Sequence, residues 1–325
     1  ADSLDGDDGF IKRDNVIVLD CEEYALAVRE KLRKPVTDLA GGRVESGDSF
    51  GCSALRRNAE HTPADVSEQY GVIRTPPDTA REALDIEQYA EAQRAIDRAL
   101  GVNPSSLDAI AVAAAIKYVT GDQAAFDTLK GRALALNPGN GEFFATMAEV
   151  ASRVRRYESA AAFARQAVAA DPKQWRARGL LGMNLLRLGQ IADGRAALDA
   201  SFAGDPYDVW IKNTLDLLDT FVNYDTSATK HTMLMIEKGE SALLVIYLGE
   251  LAEQAYQTFS ARYQYTPPLP VRIEVYRSHA DFSVRTVGLA GIGALGVSFG
   301  STLAFDSPAA KDAGPFNWGS TVWHE

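Results

Sequence analysis

The chain has 325 residues, 46% of them hydrophobic and 24% charged, with a formal net charge of -11. That length suffices for two or three domains, and the composition is that of a soluble globular protein. The acidic balance and the lack of a long basic run exclude a general nucleic-acid or anionic-membrane binder, because affinity for phosphate comes from clustered Lys and Arg.

Residues 1–72 form an N-terminal region to which the pattern assigns no fold. Within it, Val16 to Leu19 reads as a strand and Glu22 to Leu32 as a helix, and the glycine-rich run Gly41 to Gly51 reads as a loop. Cys21 and Cys52 are the only cysteines, too few for a disulfide framework or a cysteine zinc site. Ala1 is followed by the acidic stretch Asp2 to Asp8, with no basic n-region and no apolar h-region, so the sequence reads as a fragment or a processed piece. Thr75-Pro76-Pro77-Asp78 is a break, with Asp78 as the expected N-cap of the next helix.

The strongest internal signal follows. Pro104, Pro138, Pro172 and Pro206 stand 34 residues apart, each preceded by Asn or Asp (Asn103, Asn137, Asp171, Asp205). Small residues recur in register: Ala148, Ala160 and Ala167 in one unit, Gly182, Gly194 and Ser201 in the next. Small residues let paired helices approach closely, and the proline ends the second helix because it lacks an N–H and clashes with the preceding turn. The stretch from about Ile73 to Phe221 resembles the tetratricopeptide repeat family, with three clear units and one partial one. The resemblance implies an α-solenoid over residues 73–222 that binds a protein or peptide on its concave face. The alternative is that the repeats only pack against the neighbouring domain. Val209 to Phe221 reads as a cap or bridge.

Past Asn223 the pattern changes, and residues 229–325 read as an incomplete α+β domain, so the whole is mostly α. His231 to Glu237 is a short apolar strand, and Glu240 to Tyr263 a long amphipathic helix. Val271 to Tyr276 alternates, with Val271, Ile273 and Val275 facing one way and Arg272, Glu274 and Tyr276 the other. Ala280 to Thr286 reads as a short helix. Val297, Phe299, Leu303 and Phe305 alternate along one further strand, and Asn317 caps a final helix. Gly291, Gly293 and Gly296 match the dinucleotide fingerprint in letters, but a strand follows them where a helix is needed, so no nucleotide site is assigned. The uncharged run Thr286 to Phe305 is too polar and too rich in glycine for a transmembrane span.

The chain ends on Trp323-His324-Glu325. His-Glu opens the zinc motif His-Glu-x-x-His, in which two histidines one helical turn apart hold the metal. With the α+β elements before it, the stretch from about His231 to Glu325 resembles the N-terminal half of a gluzincin-type, peptidase MA-like zinc metallopeptidase domain. Such domains occur fused to tetratricopeptide repeats in bacterial proteins, and peptidases of this kind are often exported. The resemblance implies zinc in the intact parent, with His324 as the first metal ligand and Glu325 as the general base in peptide-bond hydrolysis. It also implies that Gly296 to Phe305 lies along the substrate cleft. The other ligands are not in this sequence, so the chain itself is expected to be inactive and not to hold zinc stably. His231 and His279 read as solvated or capping residues rather than substitutes. The alternative function is a non-catalytic protein-interaction scaffold. Oligomeric state is not readable.

Overall fold

The computed structural model describes residues 76–310 and 317–325. The strand and helix expected between Val16 and Leu32, both cysteines and His61 lie outside the described residues.

Four helix pairs and a ninth helix account for residues 76–220 among those described: α1 (Pro76–Asp85), α2 (Tyr89–Val102), α3 (Leu107–Thr120), α4 (Gln123–Leu136), α5 (Gly141–Arg153), α6 (Tyr157–Ala170), α7 (Trp175–Arg187), α8 (Ile191–Gly204) and α9 (Val209–Thr220). The 34-residue period is the helix–turn–helix period. Asn103, Asn137, Asp171 and Asp205 are the C-caps of α2, α4, α6 and α8, each in extended or near-extended backbone, so each Asn/Asp-Pro pair closes one unit. Side-chain caps open several helices, as when Ser106 accepts from the Ala109 N–H and Asn140 from the Phe143 N–H. Asp78 is not the cap of α1. The helix starts at Pro76, a residue suited to a first turn, and Asp78 lies inside that turn.

The small residues act as their spacing implies. A Cβ placed on Gly182 would lie 2.6 Å from Leu198 Cγ, and one on Gly194 would lie 2.7 Å from Leu186 Cδ2. These two glycines set how closely α7 and α8 approach. Elsewhere alanine does the same, with Ala92, Ala95, Ala109 and Ala113 packed around Ile96, Val112 and Ile116. Phe143, Phe144, Met147 and Ile110 fill the space between the next units. No unit closes its own core, which is why the stack is needed.

After a short 3-10 turn the chain enters a five-stranded mixed sheet: β1 (Tyr224–Ala228), β2 (Thr232–Glu237), β3 (Val271–Tyr276), β4 (Gly296–Phe299) and β5 (Thr302–Asp306), in the order β1-β2-β3-β5-β4. The two inner pairings are parallel and the two outer ones antiparallel. Helix α10 (Lys238–Tyr263) connects β2 to β3, α11 (His279–Val287) follows β3, and α12 (Trp318–His324) follows β5 after a short 3-10 turn. Asn317 caps α12 through the Ser320 N–H. Leu234, Ile236, Ile273, Val275 and Phe305 pack under Leu244, Leu248 and Ala252 of α10 and Val322 of α12.

One sequence expectation needs correction here. Gly296 to Phe305 is a hairpin of two strands, turned at Gly300-Ser301, and β4 lies at the sheet edge. On the second face of β3, Glu274 and Tyr276 are buried too, covered by α11 and by the end of the repeats. Asn213 of α9 donates to the Gly288 carbonyl, and a Cβ on Gly288 would meet the Trp210 side chain at 3.1 Å. Among the described residues no helix is long and apolar enough to cross a membrane.

Candidate functional site

The first helices of successive units present one polar face. Arg81 of α1 pairs with Asp108 of α3, and Arg153 of α5 with Asp85 of α1. Arg153 also meets Glu149 at 2.6 Å, Arg176 of α7 meets Glu149 at 2.6 Å, and Arg176 reaches Glu142 as well. Asp85 and Arg153 stand two periods apart in sequence, so this pair spans the unit between them. These side chains are half exposed, so each pair contributes about 0–1 kcal/mol at most and exchanges readily for a ligand's groups.

Where the repeats meet the sheet, the charges are buried instead. Glu274 accepts from Arg272 Nε at 2.6 Å, from Arg285 Nε at 2.6 Å and from the Tyr276 hydroxyl at 2.8 Å. Arg285 also donates to the Leu186 carbonyl of α7 at 2.9 Å, and its guanidinium lies 4.8 Å from the Phe299 ring centroid. Burial works to raise the Glu274 carboxyl, but Arg285 and Arg272 outweigh it and hold it below its usual range. Burial, and then Glu274, push the Tyr276 phenol well up, so it stays a hydroxyl donor. Sequence reasoning missed this cluster. Its signal was a charged residue in the middle of a strand with buried neighbours.

At the sheet edge, the last turn of α12 lies against β4. Gly296 makes room for it, since a Cβ there would lie 2.8 Å from Thr321 Cγ2 and 3.0 Å from Glu325 Cγ. Ser298 offers both its hydroxyl and its backbone N–H to the Glu325 carboxyl. Burial raises that carboxyl above the usual glutamate range, against the opposing pull of His324 and Ser298. His324 itself is exposed.

The other two described histidines are engaged elsewhere, and neither is simply solvated. His231 Nδ1 meets Glu253 at 2.6 Å and its ring stacks on Tyr256 at 4.2 Å. His279 Nδ1 meets Asp306 at 2.7 Å, with Nε2 2.7 Å from the Ile292 carbonyl. Among the described residues no group of three or more His, Cys, Asp or Glu side chains converges on a metal position. The residues present therefore do not fit a catalytic zinc, which needs three protein ligands.

Glu253 carries a pH prediction. Burial works to raise its carboxyl, but bonds from Thr229 and His231 win and lower it to about 2. A carboxylate depressed in the folded state stabilises the fold above its unfolded pKa, near 4.5, and that contribution disappears as pH falls through the folded value. Urea unfolding from pH 5 down to pH 2 should therefore show a loss of stability that is smaller in Glu253→Gln, which has no such carboxylate to protonate.

No family model matches the chain, and no curated protein matches it. Among solved structures it is similar to that of pilF from Pseudomonas aeruginosa, at 20% identity and a TM-score of 0.34, over 44% of this chain and 65% of that one. It is also similar to MamA, at 14% identity and 0.33, over 45% and 84% of the two chains. A third is YrrB, described as a TPR protein with an unusual peptide-binding site, at 18% identity and 0.30, over 49% and 82%. The chain thus spans less than two thirds of the first of these. Residues 76–220 form a TPR-like helical repeat. The 34-residue period and the paired helices carry that statement, since likeness at these scores shows no more.

Proposed function

We propose that the chain is a protein-interaction scaffold whose repeats hold a peptide or protein segment against their inner face. The supporting observation is the run of half-exposed, cross-unit ion pairs through Arg153, Glu149, Arg176 and Glu142. Such pairs keep a groove polar and soluble while leaving its charges free to re-pair with a ligand. The test is selection of peptides from a random display library against the whole chain. Binders are expected to protect amides of α3, α5 and α7 from hydrogen exchange and to weaken roughly tenfold in Arg176→Glu, in line with charge pairs at protein interfaces. Binders indifferent to both Arg176→Glu and Arg153→Glu would sink the reading.

A second reading is the zinc peptidase that the sequence resemblance implies, with His324 as first ligand and Glu325 as base. What favours it is the Glu325 carboxyl lying against the edge strand β4, where an extended peptide would pair. It requires ligands that the described residues do not supply. A gene that places anything but histidine three positions after Glu325 rules it out.

A further inference from the structure

The pocket beside Glu325 has a chemistry that neither reading uses. It is a pocket of about 250 Å³ between the C-terminal half of α10, α12 and the β4–β5 turn. Among its described lining residues are five aromatic side chains, Tyr256, Phe259, Tyr263, Tyr265 and Trp323. Glu325 is the only acidic or basic side chain among them. Phe259 packs on Trp323 at 5.2 Å and on Tyr263 at 6.0 Å, so these three rings form one connected patch. One cation already meets that patch, the Arg262 guanidinium 5.6 Å from the Tyr263 ring centroid.

Aromatic faces are electron-rich and attract cations that shed water easily. A carboxylate at the edge of such a patch adds a full negative charge. An anionic ligand would be repelled by Glu325, and a neutral apolar one would desolvate that carboxylate further with only the Ser298 bonds to offset the loss. A small inorganic cation is disfavoured by the lack of converging ligands. We propose that this pocket binds an alkylammonium group, its charge against Glu325 and its methyl or methylene groups against the rings. Two sources share that chemistry: the side chain of a lysine or methylated lysine in a peptide, and a free choline-type molecule. The inference needs neither zinc nor a ligand on the inner face of the repeats.

The experiment uses the whole chain with EDTA present, following the Trp323 indole N–H by NMR. Choline is titrated against its neutral isostere 3,3-dimethylbutan-1-ol. Choline is expected to shift the Trp323 signal and the alcohol to leave it in place. Glu325→Gln should weaken choline roughly tenfold, the size of one lost close charge interaction in a partly buried site. Tyr263→Leu, at an exposed position, should weaken it severalfold. Tighter binding of N-acetyl-trimethyllysine amide than of choline assigns the peptide source, and the reverse assigns the small molecule. An equal response to choline and the alcohol, no response to either, or a Glu325→Gln variant that binds choline unchanged overturns the proposal. Because the probes are small and metal is absent, failure here leaves the peptide-display result on the repeats standing, and the reverse.

Discussion

Arg285→Met should destabilise the fold by about 3–5 kcal/mol, the range seen when one partner of a buried ion pair is removed. The Arg285 side chain is 3% exposed and that of Glu274 is fully buried, so water cannot replace the lost guanidinium. Three interactions go together: the bonds to Glu274, the bond to the Leu186 carbonyl and the contact with the Phe299 ring. Removing the carboxylate as well, in Glu274→Leu/Arg285→Met, should cost less than Arg285→Met alone, because the fully buried carboxylate is then gone and the charge left over, on Arg272, sits at a side chain that still reaches water. Equilibrium urea unfolding of the three proteins checks this. A double variant less stable than Arg285→Met would mean that packing, not the unpaired charge, sets the cost.

Phe143→Ala should be similarly damaging, by about 3–5 kcal/mol, but elsewhere. Phe143 is fully buried between units and meets Phe144 edge-on at 5.4 Å. In a stack held by nearest-neighbour contacts, a void at one junction loosens the units on either side of it. Hydrogen exchange should therefore speed up in α3 to α6 while β3 and α10 keep most of their protection. Uniform loss across the chain would instead mean that repeats and sheet unfold as one.

The sequence was easiest to read where one rule repeats. The Asn/Asp-Pro pairs recur because each unit solves the same local problem, ending a helix, and their period names the architecture. Helices α10 and α11 and strand β3 were also visible, within a few residues, from local periodicity. The β4–β5 hairpin merged into one strand because Val297, Phe299, Leu303 and Phe305 keep the same parity through the two-residue turn at Gly300-Ser301. Strand β1 was missed because Tyr224 to Ala228 is a largely exposed edge with no apolar alternation to mark it. The Glu274 cluster was missed because alternation in β3 says only that the two faces differ. It cannot say that a second apolar surface, the end of the repeats, covers the polar one. At the candidate site, His324 and Glu325 were legible as residue types. Their surroundings were not, since Gly296, Ser298 and the aromatic tail of α10 reach them only through the fold.

The turns within the repeats differ in what surrounds them. A Cβ on Gly121, in the turn between α3 and α4, would meet nothing within 4 Å, whereas one on Gly189, in the turn between α7 and α8, would lie 3.5 Å from Thr302 and 3.6 Å from Arg272 of the sheet. From the opposite side, a Cβ on Gly300 would lie 3.5 Å from the Tyr157 ring. Repeat proteins ordinarily lengthen at such turns at little cost. Here the first turn keeps that freedom and the last has lost it, so new sequence can enter this array near Gly121 but not near Gly189, where a longer turn would push the edge hairpin off its support.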